Sequence, residues 1–110
     1  MNKYGAKKTV IDNITFASKK EAWKYSELKL LKMAGEIKEF TLQPKFILEE
    51  AFKDNTGKKH QAITYIADFK VTLNDDRVQV IDTKGMRTEV YKIKKKLFLK
   101  KYPQYEFIEE

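Results

Sequence analysis

The sequence predicts an α/β fold, a mixed β-sheet with helices packed on it. Three observations lead there. Two strand-like runs, "QAITYIADFKVTL" and "RVQVIDTKG", are joined by the turn-forming "NDD". One helical stretch precedes them and another follows, an order that suits helices laid against a sheet. The chain has 110 residues, 42% apolar and 13% aromatic, enough for one modest core but not two. A single domain covering residues 1–110 is therefore expected.

Each element has a local reason. "TVIDNITF" sets two short β-branched runs around Asp12 and Asn13, which reads as a small hairpin. "SKKEAWKYSELKLLKMAGE" reads as a helix capped by Ser18, filled by strong helix formers and ended by Gly35. "IKEFTLQPKFILEEAF" reads as two extended pieces with Pro44 at a bend or edge, and "KDNTGKKH" as a polar loop in which His60 is exposed. After the two clear strands, "TEVYKIKKKLFLKKY" reads as a helix capped by Thr88 and closed before Pro103. "YEFIEE" reads as a last edge strand. Tyr91, Phe98 and Tyr102 recur at helical spacing and are expected in the core.

Composition narrows the function. Without cysteine there is neither a disulfide nor a thiolate zinc site, which fits an intracellular protein. The start, "MNKYGAKK", is polar and basic, so neither a signal peptide nor a membrane span is expected, and a cytoplasmic location is. The formal net charge is +7. Between Lys84 and Tyr102 stand eight basic residues and one acid, Glu89, which accounts for the whole excess. Such a concentration suits a polyanion, nucleic acid above all, and equally suits a solvated lysine-rich helix face. Lys92, Lys96 and Lys100 recur every fourth residue as a basic stripe. Lys95 and Arg87, from the same stretch, join them as expected DNA contacts.

The second strand raises a chemical question. Val78 and Val80 alternate as a half-buried strand should, yet the same face goes on to Asp82 and Lys84. If the connecting loop is odd in length and centred on Asp75, Asp68 lies directly opposite Asp82, with β-carbons roughly 5 Å apart. An even loop would put Thr83 there instead. Two opposed carboxylates repel unless something positive sits between them. A divalent cation answers that demand, and oxygen ligands select magnesium or manganese. A network in which Lys84 neutralises one acid and solvent screens the other answers it too. Glu21 can complete a capping box with Ser18, but it also shares a helical stripe with Tyr25 and Leu28 that faces the sheet. There it can cap, ligate a metal or do both.

These residues carry a resemblance. "TYIADFKV" followed by "VQVIDTKG" resembles the core of the PD-(D/E)XK nuclease superfamily, an acid in one strand and acid-x-lysine in the next, and "SKKEA" is similar to its frequent N-terminal glutamate. Over nearly the whole chain, "NKYGAKKT", "VIDNITF", "SKKEA", "LQPKF", "ITYIADF" and "DTKGMRTEVYKIKKKLF" together resemble a family of small phage-encoded proteins. The resemblance implies a restriction-endonuclease-like core of αβββαβ type and magnesium-dependent phosphodiester hydrolysis, with manganese as a substitute. It implies Asp68 and Asp82 as principal ligands, the Thr83 carbonyl as a third, Lys84 acting on the attacking water, and Glu21 completing the acid cluster. Gln43 and Tyr65, in recurring segments, are expected to line the site. Two departures stand out: Ala67 replaces the proline before Asp68, and the second acid is Asp82 rather than a glutamate.

The function so implied is an endodeoxyribonuclease in the host cytoplasm. The chain is too short for a separate sequence-reading domain, which favours recognition of DNA shape, as in a Holliday junction resolvase acting on branched DNA. Symmetric junction cleavage needs two sites, hence a homodimer. The alternatives are a non-catalytic nucleic-acid-binding protein on the same fold, or a nicking, flap or restriction-type nuclease, RNA included.

Overall fold

The structure, a computed structural model, describes residues 8–83 and 88–110. Lys84 and Arg87 lie outside the described residues. The fold is mixed α/β, with two helices and several sheets among the described residues.

Strands β1 (Thr9–Ile11) and β2 (Ile14–Phe16) form the expected hairpin. Asp12 and Asn13 take φ of 53° and 64°, the left-handed pair that a two-residue turn of matching twist demands. Helix α1 (Lys19–Met33) starts at Ser18, whose hydroxyl accepts from the Glu21 amide at 3.2 Å. It ends at Gly35, φ 77°, where the Gly35 amide donates to Lys32 and the Glu36 amide to Leu31, so the terminal carbonyls are satisfied. Ala22, Tyr25 and Leu28 face inward, while Trp23, Leu30 and Met33 stay exposed.

The next strands are β3 (Glu39–Leu42), β4 (Lys45–Glu49), β5 (Phe52–Lys53), β6 (Lys59–His60), β7 (Ile63–Ile66), β8 (Phe69–Thr72) and β9 (Val78–Asp82). Helix α2 (Glu89–Lys101) follows, capped by the Thr88 hydroxyl on the Tyr91 amide, and then β10 (Glu106–Glu109). The order β10-β9-β8-β3 makes one four-stranded sheet, parallel between β10 and β9 and antiparallel elsewhere. A parallel neighbour needs a crossover, and α2 provides it.

Two expectations change. The run "QAITYIADFKVTL" is not one strand: it breaks at Ala67 and Asp68 into β7, paired with β4, and β8, paired with β3 and β9. The opposite chain breaks at the same level, at Gln43 (φ 48°) and Pro44. Bonds still cross the bend, from the Gln43 amide to the Asp68 carbonyl at 2.9 Å and from the Ala67 amide to the Pro44 carbonyl at 3.1 Å. The pairing register is the same on both sides, so the ribbon bends without slipping. Proline has no amide to donate, which makes that level the natural place for it.

The segment "KDNTGKKH" is also more than a loop. Strands β5 and β6 make a short hairpin organised by Asp54, whose Oδ1 accepts from the Thr56 hydroxyl and the Thr56 and Lys58 amides. His60 is not simply exposed: its Nε2 lies 2.8 Å from Asp54 Oδ2 and its ring stacks on Phe52. The Thr56 hydroxyl first, then His60 and the Thr56 amide, hold the Asp54 carboxyl at about 2, against an ordinary 3.8. Because the folded value is the lower one, this carboxylate's contribution is complete above pH 3.8 and is lost as pH falls toward 2. Hydrogen exchange should therefore show the Thr56 and Lys58 amides losing protection through that window. Asp54→Ala, which removes the acceptor, should leave them equally unprotected from neutral pH down to the same point.

The core has two parts on opposite faces of the sheet. Phe69, Val71 and Ile81 meet α1 and the first hairpin, whereas Val80 joins Phe46, Leu48, Tyr65 and Ala67 against Phe98 of α2. Tyr91 and Tyr102 pack on that second cluster, as their spacing predicts.

Candidate functional site

The β8–β9 ladder pairs Phe69 with Ile81 and Thr72 with Val78 across a five-residue loop, residues 73–77, centred on Asp75. One step beyond Phe69 and Ile81, the same register sets Asp68 opposite Asp82, and the Asp68 amide donates to the Ile81 carbonyl at 3.1 Å. Both aspartates are buried, at 1% and 4% exposure. They sit where the ribbon bends away, so β9 ends there without a continuing antiparallel partner.

Each carboxylate is held by donors that fix its orientation. Asp68 Oδ2 accepts from the Thr83 amide at 2.7 Å and the Thr83 hydroxyl at 2.8 Å. Asp82 Oδ2 accepts from the Tyr65 hydroxyl at 2.5 Å. Burial, and then the bond to Asp82, push the Tyr65 hydroxyl far above its ordinary value, so it remains a donor at any physiological pH. Tyr65 thus touches the aspartate pair, and Gln43 reaches it through the backbone bond to Asp68.

Glu21 is buried too, at 2% exposure, on α1, whose inward residues Ala22, Tyr25 and Leu28 pack with Ile81. Among the described residues, no group of three or more acids, histidines or cysteines is placed to hold one metal ion.

One neighbour is not signalled by the sequence. Through the parallel register, Glu109 stands beside Asp82, and the Glu110 amide donates to the Asp82 carbonyl at 3.0 Å. Glu109 accepts from the Tyr91 hydroxyl and pairs with Lys95, both at 2.5 Å. Lys95, expected to face DNA, is therefore engaged within the chain. Lys92 and Lys96 line, with Tyr91, Lys95, Leu99 and Glu109, a shallow groove on α2 next to this network. Lys92 also lies 3.6 Å from Glu89. Lys100 stands in the last turn of α2.

The fold and site define a mixed α/β protein with a buried, opposed aspartate pair at a sheet bend, flanked by a lysine-rich helix. The chain belongs to DUF1064, a protein family of unknown function, whose match covers residues 1–108. No curated protein and no solved structure matches it. None of the described helices is long and apolar enough to cross a membrane.

Proposed function

We propose that this protein is a magnesium-dependent endodeoxyribonuclease with a restriction-endonuclease-like core, a member of the PD-(D/E)XK superfamily. The observation that carries the reading is the Asp68–Asp82 pair. Two carboxylates are buried in adjacent strands at a bend, an arrangement that suits oxygen ligands for a hard cation. Their oxygens fit magnesium, which takes one or two carboxylates and keeps several waters. Asp68 and Asp82 would hold the ion, with the Thr83 carbonyl as a third oxygen. Bound there, magnesium would polarise the scissile phosphate and lower the pKa of a coordinated water.

The chain's own groups do the rest. Thr83 and Tyr65 keep the two carboxylates in fixed orientation, so little reorganisation is needed when substrate arrives. Lys84, two positions past Asp82 in the sequence, acts on the attacking water. Lys92, Lys96 and Lys100, with Arg87, grip the phosphate backbone. Branched DNA such as a Holliday junction is the proposed substrate and a homodimer the proposed form, since paired cuts need two such sites. The test incubates the protein with labelled duplex, single strand, flap and four-way junction, with and without magnesium. Cleavage is expected only with magnesium and fastest on the junction. No cleavage of any of the four would overturn the hydrolase, and preference for another substrate would overturn the junction assignment.

A further inference from the structure

Among the described residues the β5–β6 hairpin pairs with no other strand, yet it is built with care. Phe52 stacks on His60 with ring centroids 4.8 Å apart and planes 15° from parallel, and still 53% of Phe52 is exposed. An aromatic ring backed on one side by a second ring and open to solvent is a poor contributor to a core and a good platform for a further flat ring. His60 is fixed by Asp54, which also accepts three bonds from the turn, so the platform is preorganised. Lys53 and Lys59 are the next pair along the hairpin, with Lys58 in the turn, while the hairpin's one acid, Asp54, is bonded within the turn and to His60. Lys53 and Lys59 line the same shallow groove as Phe52 and His60.

We infer that the exposed face of Phe52, backed by His60 and flanked by Lys53 and Lys59, receives an unstacked base of a bound nucleic-acid strand. Stacking supplies contact that no particular base sequence is needed for, and the lysines meet the adjoining phosphates. The inference rests on the nucleic-acid partner proposed above, but not on its hydrolysis. It also adds a length. The chain runs from Asp68 back to His60 over eight residues, at most about 26 Å at roughly 3.3 Å each. That is about eight nucleotides at roughly 3.4 Å per nucleotide. The unstacked base therefore lies within about eight nucleotides of the aspartate pair, which is where a junction or single-stranded segment would offer one.

Fluorescence anisotropy in chelator, with labelled single strand, four-way junction and blunt duplex, tests this on wild type, Phe52→Ala and Phe52→Trp. Phe52→Ala should bind the single strand about tenfold more weakly and the duplex within about twofold of wild type, with Phe52→Trp restoring single-strand affinity. Unchanged single-strand affinity in Phe52→Ala would overturn the inference. So would an equal loss on duplex, or failure of Phe52→Trp to restore binding while its melting temperature is unchanged. A shift in sedimentation of Phe52→Ala would instead mark the platform as a contact between copies of the chain, and overturns it too. Wild type that binds in this pattern but cuts nothing in magnesium sinks the hydrolase reading and leaves the platform standing.

Discussion

Asp82→Asn should abolish magnesium-dependent cleavage while leaving DNA affinity in chelator within about twofold of wild type. The substitution removes one negative charge and almost no volume. Its amide oxygen can still accept from the Tyr65 hydroxyl, so the buried bond at the bend has a replacement and the fold should survive. What cannot survive is the charge that would hold a divalent cation opposite Asp68. Removal of a mere supporting partner at a metal site costs roughly 10–100-fold, so loss of a ligand should exceed about a hundredfold. Rates on the preferred substrate, with melting temperature checked in parallel, measure it. A variant that cuts as fast as wild type would show that the aspartate pair is structural and the active site is elsewhere.

Phe98→Ala should be the most damaging substitution for stability, costing roughly 3–5 kcal/mol. Phe98 is wholly buried and is where α2 is seated on the sheet. Its ring lies 4.9 Å from Phe46, 5.6 Å from Tyr65, 5.2 Å from Tyr102 and 5.6 Å from Phe107, so truncation leaves a cavity lined by rigid rings that collapse poorly. Urea unfolding with unchanged slope measures the loss. A cost under about 1 kcal/mol would mean that α2 does not close on this face. Because α2 also carries the lysine stripe, the same variant should show weaker, less salt-dependent DNA binding if partly unfolded.

The two aspartates show how far local pattern reaches. Side-chain alternation, readable within fifteen residues of chain, leaves Asp82 or Thr83 opposite Asp68, and the odd loop of the β8–β9 register selects Asp82. The caps at Ser18 and Thr88 and the left-handed turn at Asp12 and Asn13 are equally local. The bend at Ala67 and Asp68 is not. It depends on Gln43 and Pro44, more than twenty residues away, shifting direction at the same level, and "QAITYIADFKVTL" alone alternates like one strand.

Glu21 lies on a stripe with Tyr25 and Leu28 that is buried, as its spacing predicts. Glu109 beside Asp82 is invisible to such local pattern: a parallel partner arrives through a helical crossover, and no turn in the sequence records its register.

By itself, then, the sequence determined the two helices, their caps and the one tight hairpin turn, because bonds between residues close in the chain cost little entropy to form and leave a short-range signature. Only the tertiary structure decided that the loop is odd and sets Asp68 opposite Asp82, that the long strand bends at Asp68, that Tyr65 and Thr83 clamp the two carboxylates, and that Phe52 and His60 meet on the β5–β6 hairpin. Those outcomes hang on pairings between distant segments, whose free energy is settled by packing of the whole and not by any stretch of it.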